Sequence, residues 1–240
     1  MRSLLASIAF CTRIPISAAF TAEEVGRAAR WFPLVGALLG LVSIVLSRLL
    51  VPVMPPMIVA VLILLAEVFL TGALHYDGLA DTADGLGGGK SPEDCLRIMR
   101  DHAIGSYGAV GLILLVALKL TTISTLISRN VYSPFLVLAP TIGRWSVVLL
   151  SRYVPYARPS EAVSRHVRTA EVAWATVFCG AVTVGLASWR GAISWAGVAV
   201  AASLFGYLCR RKIGGVTGDT LGTTEQLSES IVLLLGVAMR

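Results

Sequence analysis

The sequence predicts an all-α, polytopic integral membrane protein, a bundle of about six to seven transmembrane helices with a cytoplasm-facing acidic metal site. Composition and patterning carry that expectation. Hydrophobic residues make up 56% of the 240 residues and charged ones only 14%, with a mean hydropathy of +0.79, whereas a soluble surface draws on roughly 25% charged residues. The apolar residues also fall into successive runs of about 20, the length that crosses a bilayer. No polar stretch is long enough to fold separately, so residues 1–240 are expected to form a single membrane-embedded domain.

Taken in order, the first segment, Ser3 to Phe10, is short and leads into Thr12-Arg13-Ile14-Pro15 rather than a small-residue cleavage site. It is expected to lie on the membrane surface. Apolar runs then place spans near 32–51, 54–74, 105–127, 133–152, 171–189 and 191–209. A shorter run at 227–239 is marginal for a bilayer of about 30 Å and is expected to tilt, re-enter or pack inside the bundle. Pro52, Pro55 and Pro56 separate the first two spans, and Ser128-Arg129-Asn130 and Arg190-Gly191 make tight turns between later pairs.

Charge assigns the sidedness, because Lys and Arg in short loops stay cytoplasmic. Arg2, Arg13, Arg27 and Arg30 precede the first span, Lys90, Arg97 and Arg100 follow the second, and Arg152, Arg158, Arg165 and Arg168 follow the fourth. Arg210, Arg211 and Lys212 complete that face, against Arg48, Arg129, Arg190 and Arg240 on the other. The protein is therefore expected in the cell membrane, multi-pass, with its long polar loops and active site facing the cytoplasm. The net charge of +6 reads as this topology signal plus attraction to anionic headgroups or phosphates, and nucleic acid is not an expected partner. Cys11, Cys95, Cys179 and Cys209 are scattered and read as free thiols.

The most informative stretch is His75-Tyr-Asp-Gly-Leu-Ala-Asp-Thr-Ala-Asp-Gly85, directly after the second apolar run. On a helix, Asp77, Asp81 and Asp84 at i, i+4 and i+7 share one narrow face, where their repulsion calls for cations. Hard oxygen ligands favour Mg²⁺ or Mn²⁺, ions that serve phosphate chemistry. Gly78 and Gly85 leave room for a phosphate against the backbone. His75 reads as a base, a substrate donor or a helix-end residue.

Two glycine clusters follow, Gly87-Gly-Gly89 and Gly214-Gly-Val-Thr-Gly-Asp-Thr-Leu-Gly222. The second comes after three basic residues and contains Asp219, a setting suited to phosphate oxygens and a metal or hydroxyl. Arg97, Arg100 and Asp101 stand at helical spacing before Gly105-Ser-Tyr-Gly108, either as an ion-paired surface helix or as a phosphate clamp. Arg158, Arg165, His166 and Arg168, and Arg13 beside Pro15, raise the same alternatives. Glu67 and Arg144 lie within apolar spans, where a structural ion pair is the cheapest account.

These residues together resemble the adenosylcobinamide-GDP ribazoletransferase (cobalamin, or cobamide, synthase) family. The likeness rests on His75-x-Asp-Gly-Leu-x-Asp-Thr-x-Asp-Gly85 and Gly215-x-Thr-Gly-Asp219, with Phe10-x-Thr-Arg-Ile-Pro15, Phe32-Pro-x-Val-Gly36, Arg100-Asp-x-x-x-Gly-x-Tyr-Gly108 and Gly143-Arg144. It implies a Mg²⁺-dependent transferase, with Mn²⁺ a substitute, that joins adenosylcobinamide-GDP to α-ribazole or its 5′-phosphate and releases GMP, late in cobalamin biosynthesis. On that reading Asp77, Asp81, Asp84 and Asp219 hold metal, His75 or a spare carboxylate takes the hydroxyl proton, and Arg13, Arg100, Arg144, Gly215 and Gly218 bind substrate. The bilayer is the expected surroundings, and the reading leaves room for a homo-oligomer. Two rivals stand beside it. A CDP-alcohol phosphatidyltransferase wants Arg where Asp81 follows Asp77-Gly-Leu-Ala80, and a cation-coupled transporter using Glu67, Lys119 and Arg144 wants its site at the midplane.

Overall fold

The computed structural model describes residues 2–130, 133–158 and 167–239. In chain order the helices are α1 (Arg2–Cys11), α2 (Ala22–Ala28), α3 (Phe32–Leu50), α4 (Pro56–Thr71), α5 (Leu74–Gly88), α6 (Pro92–Ile98), α7 (Ser106–Arg129), α8 (Phe135–Tyr153), α9 (Thr169–Ile213) and α10 (Gly218–Ala238), with a 3-10 turn at Ala29–Trp31. Among the described residues four helical stretches are long and apolar enough to cross a membrane, or five if α4 and α5 count as one bent span. That is fewer than the six to seven crossings the sequence predicts, and three local features account for the difference.

The first is the break after α4, which has only 16 residues and ends at Gly72 (φ 68°) and Ala73 (φ 60°), both left-handed. The chain turns there by 90° into α5. The second is α9, whose 45 residues would reach about 68 Å if straight, over twice a bilayer core. It breaks at Ser188 (φ 51°, ψ −132°). A Cβ on Gly180 would meet the Trp195 ring and one on Gly191 would meet Thr183. Facing pairs whose numbers rise on one side as they fall on the other mean that arms 169–187 and 189–213 run antiparallel. The sequence-predicted turn is therefore real but sits at Ser188, just before Arg190-Gly191. The third is α10, which starts at Gly218 rather than near 227 and buries a polar face inside the bundle.

α10 packs against α5, α7, α8 and α9, while α3 lies along α8. Its buried side chains are unusually polar, with Thr220, Thr224, Glu225, Gln226, Ser228 and Glu229 each at most 2% exposed. Leu49, Phe69, Ile113, Val177 and Leu204 are instead mostly exposed on the outside of the bundle. Polar inside and apolar outside is the arrangement a lipid environment rewards, since hydrocarbon is a good solvent for Leu and a poor one for Glu. The Phe32-Pro-x-Val-Gly36 motif serves the α3–α8 contact, because a Cβ on Gly36 would strike the Pro140 backbone. Cys11, Cys95, Cys179 and Cys209 are buried free thiols.

Candidate active site

α5, which carries the three aspartates, leaves α4 at a 90° bend and is in contact with α6, α7 and α10. Its fit onto α10 depends on glycine. A Cβ on Gly78 would meet the Asp219 carbonyl oxygen at 2.7 Å, and one on Gly222 would meet the His75 Cα at 3.2 Å. Thr223 Oγ1 donates to the Gly78 carbonyl at 3.0 Å. The room expected for phosphate at Gly78 is thus taken by α10, and at Gly85 by Met99 and the Cys95 carbonyl.

This crossing brings Asp219 beside the α5 carboxylates. Thr217 caps α10 in a reciprocal box with Thr220, and its hydroxyl donates to Asp219 Oδ2 at 3.2 Å. Arg158 Nη1 stands 3.6 Å from the same oxygen. Asp77 is exposed, and Asp81 and Asp219 are half-buried. Burial pushes the Asp81 carboxyl up to about 6, and the charges of Asp77, Asp219 and Asp84 push in the same direction, with His102 opposing. The four aspartates therefore share one field.

Asp84 has a further task. Its two carboxylate oxygens accept the backbone N–H groups of Gly105 at 2.7 Å and Gly108 at 2.9 Å. A carboxylate is favoured there by the orphan donors and dipole of the α7 N-terminus. A Cβ on either glycine would run into that carboxylate, which explains the Gly-x-Tyr-Gly108 part of the motif. Among the described residues no three His, Cys, Asp or Glu side chains close around one point as a metal cage. The donor set is nevertheless that of a hard cation. Mg²⁺ is commonly held by one or two carboxylates, with waters and substrate phosphates completing its shell, and the rim of Asp77, Asp81 and Asp219 fits that form of binding.

Beneath the rim lies a connected set of buried charges. His75 Nδ1 is 3.1 Å from Glu225 Oε2. Arg144 Nη1 donates to Glu225 Oε1 at 2.7 Å and Glu229 Oε1 at 3.1 Å. Lys119 Nζ donates to Glu229 Oε2 at 2.6 Å, to both oxygens of Glu67 at 2.8 and 3.0 Å, and to Gln226 at 3.1 Å. The pairing expected between Glu67 and Arg144 is therefore indirect: Lys119 partners Glu67, Arg144 partners Glu225 and Glu229, and Glu229 joins the two. Arg144 is 1% exposed, so its charge is engaged inside the bundle rather than at the rim.

The remaining sequence candidates are spread out. Arg13 folds its side chain over Gly72 at the α4–α5 break, and its N–H donates to the Leu70 carbonyl at 2.7 Å. α6 ends at Ile98, so Arg97 pairs with Asp94 at 2.6 Å rather than Asp101, and Arg100 is exposed beyond the helix. Gly215 packs on the Pro155 backbone, whereas Gly218 opens onto a cavity with Asp77 and Asp219. Arg165, His166 and Arg240 lie outside the described residues.

That cavity, about 310 Å³, runs from His75, Asp77 and Asp219 to Phe10, Ala29, Phe32 and Val147. Phe10 and Phe32 stack with ring centroids 5.3 Å apart and planes 9° apart. Sequence reasoning missed Glu229 and Gln226 altogether. A signal was available, since two in-span cations need carboxylates and Glu225 and Glu229 stand at i, i+4 on a neighbouring polar helix.

A family profile described as cobalamin-5-phosphate synthase matches residues 3–238. The chain is 35% identical over 245 residues to an adenosylcobinamide-GDP ribazoletransferase of Desulfitobacterium hafniense, covering 98% of this chain and 96% of that one. Proteins of the same name from Ralstonia pickettii and Pseudomonas aeruginosa are 36% and 38% identical, covering 97% and 98% of this chain and 93% and 97% of theirs. No solved structure matches the chain.

Proposed function

The chain belongs to the cobalamin-5-phosphate synthase family, and from that premise we propose that it joins adenosylcobinamide-GDP to α-ribazole or its 5′-phosphate. The products are adenosylcobalamin or its 5′-phosphate, and GMP. The observation that carries the reading is the rim itself, where Asp77 and Asp81 from α5 meet Asp219 from α10 in one repulsive field beside a cavity large enough for part of a substrate.

A ribose hydroxyl of α-ribazole attacks the phosphorus that carries the cobinamide arm; a new P–O bond forms and the bond to GMP breaks. Asp77, Asp81 and Asp219 would hold Mg²⁺, or Mn²⁺ in its place, and the ion would supply neutralisation of the diphosphate charge. Arg158 stands beside Asp219, its Nη2 donating to the Leu96 carbonyl at 3.0 Å, and places a fixed positive charge next to the phosphates. His75, tied through Nδ1 to Glu225, has its other nitrogen left to take the hydroxyl proton, and Glu225 holds the ring in place. Asp84 keeps the start of α7 against α5 and so fixes the rim's floor. On the charge asymmetry of the loops, this end of the bundle faces the cytoplasm.

The test is direct. Purified protein in lipid, given adenosylcobinamide-GDP, α-ribazole and Mg²⁺, is expected to release GMP and form the completed corrinoid, and CDP-diacylglycerol is expected to yield no product. Turnover of the lipid in place of the corrinoid would overturn the proposal.

A further inference from the structure

We propose that the cavity beside the acidic rim is the subsite for the flat nitrogen heterocycle of the incoming nucleoside, and that Phe10, Phe32, Ala29 and Val147 set which base is accepted. The inference rests on the reaction proposed above and deepens it. From α5 and α10 the cavity is lined by His75, Asp77 and Asp219, the groups assigned to the reacting hydroxyl and the metal, and from α1, α2, α3 and α8 mostly by the apolar Phe10, Val25, Phe32 and Val147, with Ser151 and Tyr156 adding hydroxyls. A riboside has this same division, a polar sugar joined to an aromatic base. A base held against the apolar residues leaves its ribose at the carboxylates, where the hydroxyl must be.

Size and polarity choose among the parts of the two substrates. At about 310 Å³ the cavity is at the lower bound of small-molecule sites, roughly 300–1,000 Å³, and a corrin ring carrying its side chains does not enter. Guanine is flat but carries donors and acceptors around its edge, which would be stranded against Phe10, Val25, Phe32 and Val147 at a desolvation cost. A methylated benzimidazole presents an apolar edge and a π-face. The Phe10–Phe32 stack offers it an aromatic wall, and Phe10, 46% exposed, has ring surface to give.

The same placement accounts for two sequence motifs that the metal chemistry leaves unused. Phe10-x-Thr-Arg-Ile-Pro15 and Phe32-Pro-x-Val-Gly36 lie outside the acidic rim, yet each contributes its aromatic residue to this cavity. Ala29, 2% exposed in the 3-10 turn between α2 and α3, and Val147 on α8 limit its depth. A larger residue at 147 shortens the space available to the base without touching the rim.

The experiment measures GMP release in lipid while α-ribazole, the riboside of unsubstituted benzimidazole and adenosylcobinamide-GDP are varied in turn. Val147→Phe is expected to raise the KM for α-ribazole at least tenfold, to raise that for the smaller riboside less, and to leave the KM for adenosylcobinamide-GDP within about twofold. Phe10→Ala, at a position 46% exposed, is expected to leave the protein folded by gel filtration in detergent and to raise the KM for α-ribazole by about three- to tenfold. Equal effects on both ribosides, or a rise confined to adenosylcobinamide-GDP, as guanine or the corrin arm in the cavity would give, would overturn the subsite. Unchanged KM values, as a lipid chain in the cavity would give, would overturn it too. Wild-type protein that releases no GMP would overturn the parent reading instead, which separates the two failures.

Discussion

Acid occurs in this bundle in two settings, and they are balanced differently. Glu67, Glu225 and Glu229 are matched inside the protein by Lys119 and Arg144, with Glu225 also meeting His75, at 2.6–3.1 Å. Asp77, Asp81 and Asp219 lie together at the rim, where burial first and then the neighbouring carboxylates raise the Asp81 carboxyl. Charge satisfied internally holds helices together, whereas the charge crowded at the rim, with Arg158 beside Asp219, is on the proposed function the charge that a cation from outside would complete. The contrast divides the molecule into a structural interior and a functional mouth, with His75 and Glu225 touching both.

Breaking the interior is expected to have the largest effect. Lys119→Met leaves Glu67 and Glu229 buried without their shared cation, and removing one member of such a set costs about 3–5 kcal/mol. Thermal unfolding in detergent should show it, and Lys119→Met combined with Glu229→Gln should recover part of the loss. If Lys119→Met melts like the wild type, the interior is not held by these pairs. The mouth predicts the opposite pattern: Asp77→Asn and Asp81→Asn should each lower GMP release by roughly a hundredfold or more, as expected for loss of metal-held charge, with a melting temperature no lower than that of the wild type.

Asp84 tests where the boundary between the two regions runs. Because both its oxygens accept N–H groups from the α7 start, Asp84→Asn should cost about 1–3 kcal/mol of stability as well as activity. A change in activity alone would move Asp84 fully into the metal site.

The smallest effect expected is one of pH. Asp81 has its folded-state value raised to about 6 from an ordinary 3.8, so in metal-free protein its contribution to stability is present below about pH 3.8 and is lost as pH rises to about 6. Metal requires the charged form, so the sign for binding is reversed. Mg²⁺ half-saturation should fall by about tenfold per pH unit approaching 6 and level off above it. A flat profile between pH 5 and 7 would remove Asp81 from the metal's partners.

Much of this division was legible in the sequence, and the misses have physical causes. Asp77 and Asp81 share a face as their spacing requires, but the Asp84 caps depend on a chain reversal more than twenty residues later, which no local pattern encodes. The α9 turn was placed nearly correctly because tight turns leave charged and glycine residues between apolar runs. α10 was read from its apolar half alone, 227–239, since a membrane helix with Thr220, Thr224, Gln226 and Ser228 facing inward has no hydropathy signal. The glycines were recognised as sites of close approach, but sequence alone does not tell protein backbone from phosphate as the approaching group. The family match sets the transporter reading aside, and Glu67, Lys119 and Arg144 are joined through Glu229 in one buried network.

The central claim, that the mouth is completed by a cation from outside and the interior is not, is tested most directly by titrating purified protein with Mn²⁺ and following free ion by electron paramagnetic resonance. Wild-type protein and a folded Glu67→Gln variant are expected to take up Mn²⁺ with the same affinity, and Asp77→Asn combined with Asp81→Asn to lose that uptake while staying folded. Equal uptake by the double aspartate variant and the wild type would contradict the account.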